Sequence, residues 1–582
     1  MIVVPKPQHM EVFDTNLEAD SFQVIVDNEE IYEFVKEIST VDGKCEIRYH
    51  QEPSLEKEHY KIKVSKSGID IAYGTPEGAF RAHTTLKQLI DQMEEKRMNC
   101  LEIEDFPSFE NRGYMLDISR GKLPKMEYIK KLVDILADLK YNQLQLYMDS
   151  FVYEYKNFPQ YWQDTKVLSR AQIEELDLYC EKRFMRLVPN QNGFGHMGKW
   201  LEKEENASLA ITGKDGKPSQ TLNPLKEESV HLIDQIYEGF LDAFSANMVN
   251  IGMDEPFELG LNETKEACEK YGIGKIYTDY LRKICTLAME KYQKTPMFWD
   301  DIVFKFPEQL DNIPKTAVVM EWGYEAEHYF ERKCAVLREK GLRYYVCPGS
   351  SMWGSYTGRT NNMIMNIATA AECGNYYGAE GFLLTEWGDN GHPQFPAMTY
   401  YPLVFAAAVS WNCGSHHSGA AKYERKTLND ACKAYIDRYL YQTRNDVSLA
   451  DIAYRMGNYY LLEDALDFNG TELSQYIVSG NSPSPRKKRC FQAVKDYMCG
   501  LKEELATSEA DKLMKRQIEV NCDMVILFAD ILTGQKDYHE ELTRISKEFE
   551  ELWKMDNRIE GMEIFKDFLA SLQPKTGEWR LQ

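Results

Sequence analysis

The stretch VNIGMDEP, residues 249–256, carries the strongest fold signal in the sequence. Its small and β-branched residues are typical of a short buried strand, and two neighbouring acids, Asp254 and Glu255, follow where that strand should end. In alpha/beta barrels, catalytic residues lie at this carboxyl end of the strands. Pro256 disfavours helical geometry in the residue before it, so Glu255 is expected to be extended. The alternative is a helix start, because Asp, Glu and Pro are also common in a first helical turn.

Short apolar runs alternate with helical patterns on both sides of this stretch. Eight strands are predicted, at residues 113–117, 143–148, 186–189, 249–252, 296–299, 317–320, 344–347 and 382–385. Helical patterns between them include residues 128–139, 172–183, 227–240, 265–292, 325–340 and 363–373. Eight such units in this order predict an α/β fold, the closed (β/α)8 TIM barrel. An open doubly wound sheet is the alternative.

The predicted barrel is flanked by two further regions, and three domains suit a chain of 582 residues. Residues 1–105 predict a small N-terminal α/β domain, because residues 59–74 contain two alternating runs typical of a hairpin and a helical pattern follows. A break at residues 105–107 places the catalytic barrel at 106–417. Residues 418–582 are charged and helical, which predicts an all-α C-terminal domain. Its amphipathic helices could cover the barrel or pair with a second copy in a homodimer.

The composition narrows the classes of partner. A formal net charge of −23 argues against binding to nucleic acid or to an anionic membrane surface. The sequence has no recognisable signal peptide and no apolar run long enough to span a bilayer, so a soluble, cytoplasmic protein is expected. Thirteen Cys residues without a CxxC pair are typical of reduced, buried thiols. No cluster of metal ligands is apparent, so neither a metal nor another cofactor is expected.

Aromatic and acidic side chains follow most of the predicted strands. In order they are Asp117, Asp149, His196 in a Gly-rich loop, Asp254 and Glu255, Trp299 with Asp300 and Asp301, Glu321 and Trp322, Trp353 and Tyr356, and finally Trp387, Asp389 and His392. The interior layers of barrels favour Val, Ile and Leu, so four Trp at strand ends indicate the walls of a carbohydrate site. Any one of these Trp residues, taken singly, could equally belong to the core.

Five segments resemble glycoside hydrolase family 20, the exo-β-N-acetylhexosaminidases. They are FENRGYMLDISR (109–120), PNQNGFGH (189–196), NIGMDE (250–255), FWDD (298–301) and EWGD (386–389). Residues 61–89 also resemble the small α/β domain of that family, and the resemblance extends from residue 60 to residue 411. An intracellular subgroup with a helical C-terminal domain is the most similar.

The resemblance implies roles for individual residues. It makes Asp254 and Glu255 the acidic pair and Arg112 the ligand of sugar hydroxyls. His196 corresponds to the histidine of the family's PGH loop, Trp299, Trp322 and Trp387 to the walls of the sugar pocket, and Asp389 to the acid that binds the outer hydroxyls. The tyrosine that bonds the acetamido oxygen corresponds to Trp353 or Tyr356, and Asp149 matches the strand-2 motif loosely. Asn250 and Met253 replace a histidine and a glycine of the usual HxGGDE.

The implied reaction is the removal of terminal β-GlcNAc, or β-GalNAc, with retention of configuration and with the substrate's own acetamido oxygen as nucleophile. Asp254 would stabilise the resulting oxazolinium ion, and Glu255 would protonate the leaving oxygen and then activate water. Two alternatives remain open. A metal-dependent barrel hydrolase would use His196, Asp254, Asp389 and His392 as ligands, whereas a non-catalytic protein would only bind the sugar.

Overall fold

The computed structural model describes residues 2–40, 42–415, 422–465 and 469–572, except for the side chains of residues 390, 415 and 422–425. The predicted limit between barrel and helical region, at residues 417–418, lies outside these ranges, as does the predicted end of the helical domain at residue 582. The domain limits therefore stay predictions, and the three regions are described by their elements.

The N-terminal region is a six-stranded sheet with two helices. Its elements are β1 (His9–Glu18), β2 (Phe22–Val26), α1 (Glu29–Val35), β3 (Cys45–Gln51), β4 (Tyr60–Ser65), β5 (Gly68–Tyr73), α2 (Pro76–Asp91) and β6 (Arg97–Asp105). The strand order is β1-β6-β4-β5-β3-β2. Strands β4 and β5 pair antiparallel around the turn at residues 66 and 67, so the hairpin that the alternating pattern predicts is confirmed.

The barrel consists of eight parallel strands. The first three are β7 (Asn111–Asp117), β8 (Gln143–Met148) and β9 (Arg186–Gln191). Two short strands that follow, β10 (Ala210–Thr212) and β11 (Pro218–Leu222), pair with each other and lie outside the barrel. The other five barrel strands are β12 (Met248–Asn250), β13 (Thr295–Trp299), β14 (Val318–Trp322), β15 (Arg343–Cys347) and β16 (Gly381–Glu386). Because β16 pairs with β7, the sheet is closed. All eight predicted strands are present and the (β/α)8 prediction is confirmed, whereas the open-sheet alternative is wrong.

Helices surround the barrel strands. They are α3 (Met126–Asp138), α4 (Pro159–Trp162), α5 (Arg170–Glu181), α6 (Gly198–Leu201), α7 (Glu227–Tyr237), α8 (Asn262–Tyr271), α9 (Ile273–Thr286), α10 (Phe330–Glu339), α11 (Thr360–Tyr377) and α12 (Pro396–Trp411). The single helical pattern predicted at 265–292 is interrupted at Gly272, whose φ of +88° ends α8 before α9 begins. Helix α12 is buried along its whole length, so it lies between the barrel strands and further structure.

The N-terminal region packs against the amino ends of the barrel strands. Arg81 of α2 donates to Glu58 and to the carbonyl of Phe184, which precedes β9. Lys140, which precedes β8, forms a buried ion pair with Asp105 at 2.9 Å. These contacts leave the carboxyl ends of the strands, where the predicted site lies, on the opposite side of the barrel.

In the described part of the chain, seven α-helices follow the barrel and cover one side of it. They are α13 (Lys422–Tyr435), α14 (Leu449–Met456), α15 (Glu472–Ser479), α16 (Pro485–Thr507), α17 (Lys512–Thr533), α18 (His539–Asp556) and α19 (Met562–Ser571). Gln517 of α17 accepts a hydrogen bond from the backbone of Ala397 at 3.1 Å, and Phe549 of α18 packs on Phe395 with ring centroids 5.2 Å apart. Of the two alternatives for these helices, covering of the barrel is confirmed, whereas pairing with a second copy stays a prediction. Within the described ranges, no helix has both the length and the apolarity needed to cross a membrane.

Candidate active site

A strained turn presents the acidic pair. Strand β12 ends at Asn250, and the chain then passes through Gly252 at φ +70°, Met253 at φ +80° and Glu255 at φ +50°. The expectation that Glu255 is extended is therefore wrong, because the turn holds it in the left-handed region despite the following proline. Left-handed geometry costs a non-glycine residue about 1–2 kcal/mol, and such strain is concentrated at functional sites.

His196 bridges the two acids. Its Nε2 lies 3.1 Å from Oδ2 of Asp254 and 3.3 Å from Oε2 of Glu255. The Gly-rich loop that carries this histidine lies directly against the acidic turn, since a Cβ on Gly195 would lie 1.9 Å from the carbonyl oxygen of Asp254. Asn192 of the same loop donates to Oδ1 of Asp254 at 2.7 Å. Both oxygens of this carboxylate are therefore held.

Asp254 and His196 each stabilise the charged form of the other. Burial acts to raise the pKa of Asp254, but the charge of His196 and hydrogen bonds from His196 and Asn192 outweigh it and hold the pKa below its ordinary value. Burial acts to lower the pKa of His196, but the charge of Asp254 and hydrogen bonds to both acids raise it to about 10. At neutral pH the pair is therefore an imidazolium beside a carboxylate.

A cavity of about 90 Å³ opens in front of the acids. It is lined by Arg120, His196, Asp254, Glu255, Trp299, Trp322, Tyr324, Trp353, Trp387, Asp389 and Asn469. The ring of Trp322 stacks on Tyr324 at 4.9 Å, and Trp387 donates its indole N–H to the Tyr324 hydroxyl at 2.7 Å. The buried indole N–H groups of Trp299 and Trp322 have no acceptor among the described residues. They can therefore serve a ligand oxygen.

A charged pair stands at the rim of the cavity. Arg120 donates to Asp389 at 2.5 Å, and its Nε lies 3.5 Å from a carboxylate oxygen of Asp149. The guanidinium also lies over the ring of Trp387, 5.1 Å from its centroid. A guanidinium and a partly exposed carboxylate held side by side offer several donors and acceptors to sugar hydroxyls.

Comparison with known proteins identifies the family. A family model described as "Glycosyl hydrolase family 20, catalytic domain" matches residues 109–382, and one described as "Glycosyl hydrolase family 20, domain 2" matches residues 1–106. The chain belongs to glycosyl hydrolase family 20. The two models together cover about two thirds of its length.

Relatives of the chain are β-hexosaminidases of low identity. A β-hexosaminidase subunit beta from Entamoeba histolytica is 25% identical over 46% of this chain and 51% of its own length. A subunit alpha from Bos taurus is 25% identical over 50% of this chain and 58% of its own. The chain thus spans about half the length of the curated relatives it matches.

The fold is also that of solved family 20 structures. A chitobiase from Flavobacterium johnsoniae superposes with a TM-score of 0.61 at 18% identity, covering 98% of this chain and 99% of the other. A family 20 exo-β-N-acetylglucosaminidase from Vibrio harveyi, solved with N-acetylglucosamine, gives a TM-score of 0.58 at 19% identity over 74% of this chain and 76% of the other.

The structure does not bring Arg112 to this family 20 site, so its prediction as a sugar ligand is wrong. Arg112 lies near the amino end of β7, only 1% exposed, where it forms an ion pair with Glu58 and donates to the carbonyl of Lys140 at 3.0 Å. The arginine that lines the cavity is Arg120, eight residues further on. Its position after the strand, on the side where Asp254 and Glu255 lie, is the signal that could have found it.

Two other predicted ligands do not line the cavity. Tyr356 is buried against Phe528 of α17, with ring centroids 4.7 Å apart, because the loop after β15 turns its ring towards the helical region. Asp149 lies 3.5 Å from Arg120, which lines the cavity. Tyr324 was missed, although its position two residues after Trp322 matches the period of an extended chain. Trp299, Trp322, Trp353, Trp387, Asp389 and His196 all line the cavity, and their roles as sugar ligands stay predictions.

The geometry gives no support to the metal-dependent alternative. His392 is buried beside Glu386, with Nε2 3.2 Å from its carboxylate, and does not line the cavity with His196 and Asp254. Over the described part of the chain, no group of three His, Cys, Asp or Glu side chains is arranged to hold a metal ion. The proposed four-ligand set is therefore not assembled.

Proposed function

We propose that this chain is an exo-acting β-N-acetylhexosaminidase that hydrolyses terminal, non-reducing β-GlcNAc, with β-GalNAc as the related substrate. The observation that carries the proposal is the pair Asp254 and Glu255, joined by one imidazolium at a cavity walled by aromatic rings. Two carboxylates that act as acid and nucleophile flank the scissile bond about 5 Å apart. Adjacent residues on one turn cannot easily do this, which favours a nucleophile supplied by the substrate.

In the first step the acetamido oxygen attacks the anomeric carbon as the bond to the leaving oxygen breaks. Asp254, kept ionised by His196, accepts the acetamido N–H and stabilises the positive charge that develops on the oxazolinium ion. Glu255 donates its proton to the leaving oxygen. With 35% of its side chain exposed, Glu255 can reach both a leaving group and solvent.

In the second step water attacks the same carbon from the side that the leaving group left. Glu255 now accepts a proton from this water, so it returns to its acid form, and the oxazolinium ring opens to regenerate the acetamide. Two displacements at one carbon retain its configuration. No metal or cofactor is needed for the balance of atoms and charges.

The remaining residues of the cavity suit the sugar ring. Trp299, Trp322, Trp353 and Trp387 provide apolar faces for the ring and the acetamido methyl group. Arg120 and Asp389 lie at the rim, where they can bind the outer hydroxyls, and Asp149 orients Arg120. The preference for the gluco or galacto configuration at C4 then depends on this charged pair.

The proposal extends to location and assembly. All thirteen cysteines lie in the described ranges and none forms a disulfide, which supports a reducing compartment such as the cytoplasm. Exposed apolar side chains in the helical region, including Met555, Ile559 and Ile564, support a homodimer formed through that region. A monomeric mass in light scattering would argue against the dimer.

Substitution of the two acids tests the mechanism. Glu255→Gln should slow hydrolysis of alkyl or sugar aglycones by roughly 10²–10⁴-fold while sparing nitrophenyl leaving groups, which need no protonation. Asp254→Asn should slow both kinds of substrate. Rates on paired aryl β-GlcNAc and β-GalNAc substrates would also give the sugar preference.

Inhibition by a thiazoline analogue of the intermediate tests participation of the acetamido group. An analogue of the intermediate should bind far more tightly than the substrate. Weak binding of the thiazoline, or an unchanged rate for Asp254→Asn, would contradict the mechanism. Binding of N-acetylglucosamine without any hydrolysis would instead favour a non-catalytic sugar-binding protein.

A further inference from the structure

We propose that Asn469, a residue of the helical region, is a positioning residue of the active site that fixes the indole of Trp353. The inference rests on the proposed function, because the wall it fixes is a wall of the sugar cavity. Asn469 is a cavity-lining residue that comes from outside the barrel. It also lies beyond residue 382, where the match to the family's catalytic domain ends.

A hydrogen bond joins the side chains of Trp353 and Asn469. The indole Nε1 of Trp353 donates to Oδ1 of Asn469 at 2.8 Å. An indole nitrogen can only donate, so the amide oxygen must be the atom that faces it, and the orientation of the amide group is fixed by its partner. Trp353 is 2% exposed. Without this acceptor its N–H would be left unpaired in a buried setting.

The backbone around Asn469 is seated on the loop that carries Trp353. The amide of Thr471 donates to the carbonyl of Gly354 at 2.8 Å. Gly354 has φ +60°, and a Cβ there would lie 2.9 Å from the carbonyl oxygen of Asn469. Further along the same loop, the Thr357 hydroxyl donates to the carbonyl of Met456 at 3.0 Å. The helical region and the loop after β15 are therefore held together before any ligand binds.

Trp353 also packs against the other rings of the aromatic wall, so its position affects theirs. Its ring meets Tyr324 edge to face at 4.9 Å. Tyr324 stacks on Trp322 and accepts the indole N–H of Trp387. A shift of Trp353 would thus be felt by the rings that face the sugar, while the acids and His196 lie on other loops. We therefore expect substitutions of Asn469 to weaken substrate binding more than the chemical step.

The test uses the full chain with Asn469→Leu and Asn469→Asp. Leucine removes the acceptor, and KM for an aryl β-GlcNAc should rise about tenfold with kcat changed less than about twofold, as expected for a loss of uniform binding. Aspartate keeps an acceptor for the indole, so KM should stay within about threefold of wild type. Asn445→Leu is the matched control, because Asn445 is an exposed asparagine of the helical region whose bonds to Thr507 and Glu509 are remote from the cavity.

A double-mutant cycle with Trp353→Phe isolates the hydrogen bond. Phenylalanine has no N–H to donate, so Asn469→Leu should add less than about a twofold change of KM in that background. An unchanged KM in Asn469→Leu would overturn the proposal, as would a tenfold effect that persists beside Trp353→Phe. Equal losses in the aspartate and leucine variants would also overturn it, since they would point to the amide N–H₂ and hence to direct substrate contact.

Calorimetric titration with N-acetylglucosamine separates this proposal from the proposed function. If the wild type binds this sugar but does not hydrolyse aryl glycosides, the proposed function fails and the Kd values of the variants, with the same fold-changes, decide the role of Asn469. A wild type that neither binds nor hydrolyses overturns both. Thermal unfolding of each variant shows whether it folds, and the aspartate variant remains informative if the leucine variant does not.

Discussion

Replacing Arg112 by methionine should destabilise the protein and leave substrate binding unchanged. Arg112 forms a buried ion pair with Glu58 and donates to the carbonyls of Lys140 and Phe109, and its guanidinium lies 4.8 Å from the centroid of the Trp411 ring. Removing one partner of a buried ion pair costs about 3–5 kcal/mol. Because Arg81 also pairs with Glu58, at 2.9 Å, we expect about 3 kcal/mol, the lower end of this range.

Arg120→Met should have the opposite profile. This side chain is 24% exposed and lies at the cavity rim beside Asp389, where the proposed function gives it charged hydrogen bonds to the substrate. Hydrogen bonds to charged groups contribute about 1.5–3 kcal/mol each. The loss of one or two of them corresponds to a fall in kcat/KM of roughly 10²-fold.

Thermal unfolding and steady-state kinetics measure the two effects. Arg112→Met should lower Tm by roughly 2–5 °C, with KM for an aryl β-GlcNAc within about twofold of wild type. A raised KM with a normal Tm in Arg112→Met would refute the structural role and restore Arg112 as a sugar ligand.

The stability lost in Arg112→Met should also depend on pH. Burial acts to raise the pKa of Glu58, but the charges of Arg112 and Arg81 outweigh it and lower the pKa to about 2. A carboxyl with a lowered pKa contributes stability above its ordinary pKa of 4.5, and the contribution is lost as the pH falls towards 2. The difference in unfolding free energy between wild type and Arg112→Met should therefore be smaller at pH 3 than at pH 7.

Four further outcomes are expected. Met253→Gly should relieve about 1 kcal/mol of backbone strain at this left-handed position. It also removes a fully buried side chain that contributes about 2–5 kcal/mol to stability, so Tm should fall. A higher Tm would mean that the strain is the larger effect. The pKa of His196 is raised from its ordinary value of 6.5 to about 10, so the stability that this residue contributes is complete below pH 6.5 and is lost as the pH rises towards 10. The unfolding free energies of His196→Asn and wild type, measured by urea titration, should therefore differ less at pH 10 than at pH 6. Burial and the charges of Asp254 and Asp300 raise the pKa of Asp301 from its ordinary value of 3.8 to about 8, so the protein loses stability as the pH rises from 3.8 to 8. Asp301→Asn should therefore raise Tm more at pH 8.5 than at pH 5. EDTA should leave hydrolysis unchanged, and a loss that Zn²⁺ restores would favour a metal enzyme.

Local signals predicted most of the fold. The strands at residues 143–148 and 382–385 and the hairpin at 59–74 follow from apolar runs, alternation and turn residues, which act over a few neighbours. The acids at 254 and 255 were found because the end of a barrel strand can be recognised from the sequence alone. The conformation of Glu255 could not be found in this way, because the left-handed turn is imposed by the packing of Met253 and the neighbouring Gly-rich loop rather than by Pro256.

The amino-acid sequence by itself determined the order of eight strand and helix units, the acidic pair and the tryptophans at the strand ends. Only the tertiary structure decided that Arg120 rather than Arg112 serves the cavity, that Tyr356 packs on α17, and that Asn469 reaches Trp353 across 116 positions of the chain. The physical reason is that periodicity reports which face of an element is buried, whereas a contact between distant segments depends on how the barrel closes and on which helices cover it.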